Sequence, residues 1–498
     1  MEALLEVCRL LGDYQIWLIS VCGAVIGIGL GVLPGVGSAV GVALLTPFTL
    51  RWEAPHALAF LGVLYPSIIY GGSITAILFN IPGHGGSAAT MLDGFPLTRQ
   101  GRAPLALGIG AAASFLGGLV GFVALMLFSP PLARLGVSFG PAEIFLIALM
   151  GLTLVATVIR GSTVKGLISA LAGLLLSTVG VNVVTGEARF TFGLLYLEDG
   201  IPFVQAVIGL FAVSQMIEMA TLRQRAVRPQ RLEGSLFEGA LATLRRPRTL
   251  LRSSLIGTVV GVLPGVGIVA ASFLAYADAA RASSHPERFG KGEPDGVIAP
   301  EAANSACIIG DLIPTITLGI PGGAAMAVFL GAMTMHGVRP GSLNAAQNDP
   351  AISALCAGLL IALLVILVLG MTVAPLVARI AETPRQILAP SMLLVSLAGS
   401  YILRHMPADV VLTAGFGLLG YLMKRNGFSP VPMVLGLVLG PLAEQGFQRA
   451  LLISDGGYGI FFHSTAAKVL WVLLVGSAIL PRLMRRRKGV PSSGSALQ

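Results

Sequence analysis

The chain has 498 residues, of which 55% are hydrophobic and only 11% charged, under half the roughly 25% charge content of soluble domains. Too few polar side chains are present to cover several soluble cores, which excludes a soluble enzyme, a nucleic-acid binder and a secreted disulfide scaffold. Glycine, 64 residues in all, stands well above its usual level of about 7%, as suits membrane helices that pack closely or break.

The composition predicts an all-α polytopic membrane protein. Its net charge of +9 is concentrated in two places. Arg223, Arg225, Arg228, Arg231, Arg245, Arg246, Arg248 and Arg252 crowd one central connection, and Arg482, Arg485, Arg486, Arg487 and Lys488 follow the last apolar run. Such clusters mark cytoplasmic segments and call for no nucleic-acid partner. Cys8, Cys22, Cys307 and Cys356 show no metal-binding spacing. Residues Met1–Asp13 lack a cationic leader with a cleavage site, so the first apolar run is expected to be retained.

Tyr14–Leu50 and Ala54–Leu92 contain no Asp, Glu, Lys or Arg. Each would exceed about 50 Å as one helix, too long for a single crossing, so each is expected to break and resume. Further runs at Ala103–Ala133, Ile144–Ile159, Gly166–Gly186, Gly200–Ile217, Ser253–Ala277, Leu312–Val338, Ala351–Ala378, Gln386–Leu403, Val410–Met423, Asn426–Ala443 and Val469–Pro481 bring the expectation to about a dozen membrane elements. Thr221–Arg252 and Arg281–Ala299 read as extramembrane loops.

GVLPGVG occurs at Gly31–Gly37 and again at Gly261–Gly267, and Ile-Pro-Gly follows each, at Ile81–Gly83 and Ile320–Gly322. The first pair is offset by 230 residues and the second by 239. The pattern predicts two repeats, residues 1–220 and 253–481, joined by an Arg-rich cytoplasmic linker at 221–252 and followed by a basic disordered tail at 482–498. With the acidic N-terminus outside and the linker inside, the repeats would be inverted, with broken helices or re-entrant hairpins as in many secondary transporters.

Proline removes an amide donor and glycine admits positive φ, so these motifs should open their helices. The freed backbone must line protein or a watery cavity, and a helix starting there aims its amides at an anion. The substrate-binding candidates are Gly35, Gly37, Ser38, Asn80, Pro82, Gly83, Gly265, Gly267, Thr315, Thr317, Pro321 and Gly322. Hydroxyls and amides nearby suit a coupling cation: Ser73, Thr75, Asn304, Ser305 and Asp311. Asp311 is either an intramembrane ligand or an interfacial cap; Asp93 and Glu301 read as loop or cap residues at element ends; His84 reads as a loop cap or a substrate contact; Asp278, Glu444 and Lys468 as interfacial. No nucleotide loop or hydrolase motif is present. The chain reads as no enzyme, with no resident cofactor or metal beyond a transported Na⁺ or H⁺.

GVLPGVG in both halves, YGGSITAILFNIPG, ATMLDGFPLTRQGRAPLALGIG, PEAANSACIIGDLIPTITLGIPGG, HGVRPG and GLLGYLMKRNGFSPVPMVLGLVLGPLAEQGFQRALLISDG together resemble the large membrane subunit (TctA family) of bacterial tripartite tricarboxylate transporters. The family motifs fall on Gly31–Gly37, Asn80–Gly83, Glu301–Ser305 and Gly319–Gly322, and the chain departs from the usual pattern at His84-Gly85-Gly86, Ser305 and Asp311. The resemblance implies a multi-pass subunit of the bacterial inner membrane. It would work with a small TctB-like membrane subunit and a periplasmic TctC-like binding protein to import an organic, tricarboxylate-like anion by cation symport, sodium being the usual ion. A homo-oligomer is compatible with this. The alternatives are a membrane enzyme or scaffold without a transport cycle, and an ion channel.

Overall fold

The computed structural model describes residues 2–33, 36–80, 82–137, 139–158, 163–182, 184–221, 235–263, 267–341, 349–372, 385–472 and 474–475. Gly35 and Gly265, residues 222–234 of the Arg-rich linker and the basic tail lie outside them. Among the described residues the chain is helical apart from one two-residue hairpin pairing Gly180–Val181 with Ala188–Arg189. Six helices are long and apolar enough to cross a membrane, and five shorter apolar helices accompany them. The protein is a multi-pass, all-α membrane protein.

In chain order the helices begin with α1 (Glu2–Leu10), α2 (Tyr14–Val32), α3 (Ser38–Thr49), α4 (Ala54–Phe79), α5 (Ser87–Arg99) and α6 (Ala103–Val137). Next come α7 (Pro141–Val158), α8 (Thr163–Ser177), α9 (Phe203–Val207) and α10 (Ser214–Thr221), the last two joined by a π-helical stretch at Ile208–Val213. The second half holds α11 (Leu236–Leu244), α12 (Pro247–Val262), α13 (Gly267–Ala282), α14 (Asp295–Gly310), α15 (Leu312–Leu318) and α16 (Ala324–Met335). It continues with α17 (Pro350–Thr372), α18 (Arg385–Arg404), α19 (Pro407–Arg425), α20 (Val431–Ile453) and α21 (Ile460–His463).

Two compact units result, and each takes segments from both halves of the chain. The larger comprises residues 1–138 and 201–430, the smaller 139–200 and 431–498. In the larger unit, the apolar windows of α4 and of α14–α15 are wholly buried. Glycine stripes allow this. Gly27 and Gly31 on α2 lie against the Leu64 and Ile68 carbonyls of α4, so closely that a methyl group at Gly31 would overlap the carbonyl. Gly257 and Gly261 on α12 lie in the same way against the Ala303 and Cys307 carbonyls of α14, and Gly117 and Gly121 of α6 press on Ala302 and Ala306. Without a hydrophobic drive between helices in lipid, such backbone contact is what holds membrane helices together. The two α2/α4 and α12/α14 contacts are separated by the offsets that relate the paired motifs, 230 residues for the glycines and 239 for the carbonyls.

The helix before each Ile-Pro-Gly ends alike. Asn80 closes α4 at φ 57° and Gly319 closes α15 at φ 69°, both left-handed, a conformation that Gly and Asn adopt most readily. Several boundaries differ from the sequence reading. The 281–299 loop is shorter, because α14 already starts at Asp295, and residues 235–252 are largely helical, with Gly239 of α11 seated on Leu105 and Ile109 of α6. The run expected to Gly186 stops at Ser177 and turns into the hairpin.

In the smaller unit, Gly173 of α8 and Gly436 of α20 bring those helices together. Phe145, Phe447 and Phe461 form an aromatic cluster. Glu444 lies within α20, where Arg189 grips both its oxygens and Asn182 donates at 2.9 Å.

Candidate functional site

The first tip, Asn80–Gly86, turns back onto its own helix. Gly83 N–H donates to the Gly72 carbonyl at 3.3 Å, and there is no room for a side chain on either glycine, since a Cβ on Gly72 would strike the His84 ring. The His84 imidazole then organises the start of α5. Its Nδ1 accepts from Gly86 N–H at 3.1 Å and from Ser87 N–H at 3.4 Å, while Ser87 Oγ donates to the His84 carbonyl at 2.8 Å. With Nδ1 accepting, the proton of the neutral ring belongs on Nε2. That atom is buried and faces the Ile69 carbonyl without reaching hydrogen-bonding geometry.

Asn304 of α14 points at this tip. A methyl group on Gly86 would stand 3.0 Å from Asn304 Oδ1, 3.1 Å from Ser272 Oγ and 3.1 Å from the His84 ring. Asn304 is only 1% exposed, yet neither Oδ1 nor Nδ2 has a hydrogen-bond partner among the described residues. An unpaired buried amide costs about 1–3 kcal/mol, and such groups are rare enough to need a reason. Ser272 donates to the Ile268 carbonyl at 2.9 Å and keeps its acceptor capacity. The tip also rests on α13, where Gly85 meets Val269. Residues from both halves therefore converge here.

The second tip, Gly319–Gly323, likewise follows a left-handed helix end but carries different side chains. Gly322 packs against the Asp311 carboxyl, so that a methyl there would lie 2.6 Å from Oδ1. Asp311, 1% exposed at the α14/α15 junction, has Tyr65 of α4 beside it and Cys307 Sγ at 4.0 Å. The carboxyl fills at this tip the room that Gly72 leaves to His84 at the other. The tips differ in access as well: Asn80, Pro82 and Gly85 are exposed, whereas Ile320, Pro321 and Gly322 are buried.

The remaining sequence candidates separate by what their polar atoms do. Thr75 donates to the Gly72 carbonyl at 2.9 Å, Thr315 to the Asp311 carbonyl at 2.6 Å and Thr317 to the Ile313 carbonyl at 2.5 Å, so all three hydroxyl protons serve their own helices. Gly37 and the half-buried Ser38 open α3, and Gly267, at φ 71°, opens α13. Helix α3 packs on α4, α16 and α18, and α13 on α12, α14 and α5. Ser73 and Ser305 are buried on α4 and α14.

Two acidic residues expected at element ends are interior instead. Glu301, 0% exposed in α14, accepts from Thr90 Oγ1 at 2.5 Å and Ser114 Oγ at 3.0 Å. Asp93, 0% exposed within α5, accepts from the Gly290, Gly292 and Glu293 amides at 2.7–3.0 Å and from the Tyr276 hydroxyl at 2.8 Å. The 283–294 loop is thereby strapped to α5. Its Glu293 carboxyl is raised above the usual range by burial and then by Asp295, against the pull of Arg246.

A family model described as the tripartite tricarboxylate transporter TctA family matches residues 17–435. An Agrobacterium vitis protein described as an uncharacterized 52.8 kDa protein in the TAR-I ttuC' 3' region is 37% identical over 473 residues, 94% of each chain. A second A. vitis protein, from the TAR-II ttuC' 3' region, is 36% identical over 238 residues, 47% of this chain and 98% of its own length. No solved structure matches the chain.

Proposed function

Because the chain belongs to the tripartite tricarboxylate transporter TctA family, we propose that it is the large membrane subunit of a binding-protein-dependent secondary transporter. It imports an organic carboxylate into a bacterial cell across the inner membrane by cation symport, with sodium the expected ion. A small TctB-like membrane subunit and a periplasmic TctC-like binding protein complete the system, and selectivity among carboxylates resides largely in the latter.

The observation that carries this reading is Asn304: a buried side-chain amide with all its hydrogen-bonding capacity free, facing a helix start where His84, Gly86 and Ser272 converge. A carboxylate oxygen there would accept a hydrogen bond from Asn304 Nδ2, beside the positive end of α5. The matched glycine–carbonyl contacts and the two left-handed helix ends support a duplication of residues 1–220 and 253–481, with the Arg-rich 221–252 segment and the 482–498 tail on the cytoplasmic side. One exposed tip and one buried tip are what a state open to one side would present.

The test is uptake of a panel of di- and tricarboxylates by membrane vesicles carrying this chain with its partner subunits, under an imposed sodium gradient and without one. Gradient-dependent uptake of at least one acid, lost in Asn304→Ala with normal insertion, is the expected result. Gradient-independent equilibration removes the symport assignment, and normal uptake in Asn304→Ala removes the site.

A further inference from the structure

We propose that Glu301, with the hydroxyl oxygens of Ser73, Thr90 and Ser114, forms the binding site of a desolvated monovalent cation, sodium being the ion the symport reading expects, one helical turn from the anion site. The inference rests on the symport reading above and names the atoms that would hold the coupling ion.

Four helices meet at this carboxylate. Thr90 comes from α5 and Ser114 from α6, one on each carboxylate oxygen, and Ser73 of α4, whose hydroxyl donates to the Ile69 carbonyl at 3.5 Å, lies beside the same group. Glu301, Ser73 and Thr90 are 0% exposed and Ser114 is 2% exposed. One turn before Ser73, the Tyr70 hydroxyl is 3% exposed and has no hydrogen-bond partner among the described residues, although it lies near enough to feel the Glu301 charge. The site is thus closed.

With the Thr90 and Ser114 hydroxyls donating, one to each oxygen, Glu301 accepts on both sides, as an ionised carboxylate does. Its charge is nonetheless uncompensated: among the described residues no Lys, Arg or His forms an ion pair with it. An isolated buried carboxylate is costly, and hydroxyls supply dipoles but no countercharge. Each hydroxyl that donates to Glu301 still has lone pairs to offer. The set is therefore one negative charge and several neutral oxygens with no nitrogen or sulfur, a combination that selects a hard cation, and a single charge matches a monovalent one.

The location gives the site a coupling role. Glu301 precedes Asn304 by three residues, so both project from the same face of α14, about 5 Å apart along its axis. Gly86 and Thr90 are correspondingly one turn apart on α5, which runs back along α14: Gly86 meets Asn304, Thr90 meets Glu301 and Asp93 meets Gly296. A cation between Thr90 and Glu301 would draw α5 onto α14 and so fix the wall against which the anion binds. Each ion then strengthens the other's binding by the same factor.

The test is cation binding by the purified full-length chain in detergent, without substrate, from the thermal shift and from ²²Na⁺ equilibrium binding in sodium, potassium and choline chloride at constant ionic strength. The wild type should show saturable binding selective for sodium. Glu301→Gln should weaken it at least tenfold, and Thr90→Val should do the same, with Thr90→Ser restoring it. Thr90→Val, nearly isosteric, keeps the test decisive if Glu301→Gln fails to fold. No sodium-selective binding in the wild type, or unchanged affinity in Thr90→Val, overturns the site. So does carboxylate uptake driven by a proton gradient in sodium-free buffer. Sodium binding with no carboxylate uptake under any gradient leaves the site standing and removes the transport reading, whereas sodium-driven uptake with unchanged sodium affinity in Thr90→Val does the reverse.

Discussion

Thr90 donates its hydroxyl to Glu301 at 2.5 Å across a sequence separation of 211 residues. One residue lies in the first half of the chain and the other in the second, and the bond ties the helix after the first Pro-Gly tip to the buried helix that carries Asn304. Asn304 and the closed Glu301 carboxylate consequently lie on a single α5/α14 seam.

Replacing Asn304 distinguishes recognition from packing. Asn304→Asp adds a negative charge where an anion is to bind, while changing side-chain volume little. It should raise the apparent Kd for a carboxylate at least tenfold above that of Asn304→Ala, since like charges in a shielded site repel strongly. Equilibrium binding of a labelled di- or tricarboxylate to the two purified variants checks this; equal Kd values would mean that Asn304 does not face the anion.

The glycine contacts predict a sharp positional pattern. Gly31→Val and Gly261→Val both force a side chain into a carbonyl of the facing helix, and should each destabilise the fold by about 1–3 kcal/mol or more. Gly29→Val, on the same helix as Gly31 but with nothing within 4 Å of its added carbon, should be tolerated. Thermal unfolding in detergent gives the comparison.

Asp93 acts as the buckle of the 283–294 strap. Asp93→Ala leaves three loop amides and one phenol without their acceptor and should cost about 3 kcal/mol or more, while Tyr276→Phe, which removes one of the four bonds, should cost about 1 kcal/mol. Amide hydrogen exchange should show faster exchange at Gly290, Gly292 and Glu293 in Asp93→Ala and little change there in Tyr276→Phe.

In the smaller unit, Arg189 and Glu444 form a partly buried two-pronged pair. Removing one partner strands the other, so Glu444→Gln and Arg189→Met should each lower stability by about 1–3 kcal/mol, with the double variant less affected than the sum. A double-mutant cycle in thermal unfolding measures the difference.

The sequence made the membrane elements and the helix breaks legible because hydropathy and the Pro-Gly chemistry are local. Asn80 and Gly319 ending their helices follow from motifs that can be read in order, whereas Asn304, read among the coupling-cation candidates, is brought against the first tip only by packing. Glu301 was not legible as an interior residue. Flanked by Pro300 and preceded by a charged loop, it reads as a helix end, and its partners Thr90 and Ser114 lie 211 and 187 residues away. Its presence inside a run otherwise free of charge up to Asp311 was the available signal. Asp93 was hidden for the same reason, since its partners are backbone amides of a distant loop. Thr75, Thr315 and Thr317 illustrate the converse: a hydroxyl in a helix is visible in sequence, but whether its proton turns to a ligand or to its own helix is decided only by packing.

The most direct measurement is carboxylate uptake by vesicles containing this chain and its partner subunits, comparing wild type with Asn304→Ala under an inward sodium gradient. The account predicts accumulation of a di- or tricarboxylate above equilibrium in the wild type and none in Asn304→Ala at equal membrane abundance. Equal accumulation by the two proteins, or accumulation that persists when the gradient is collapsed, would contradict it.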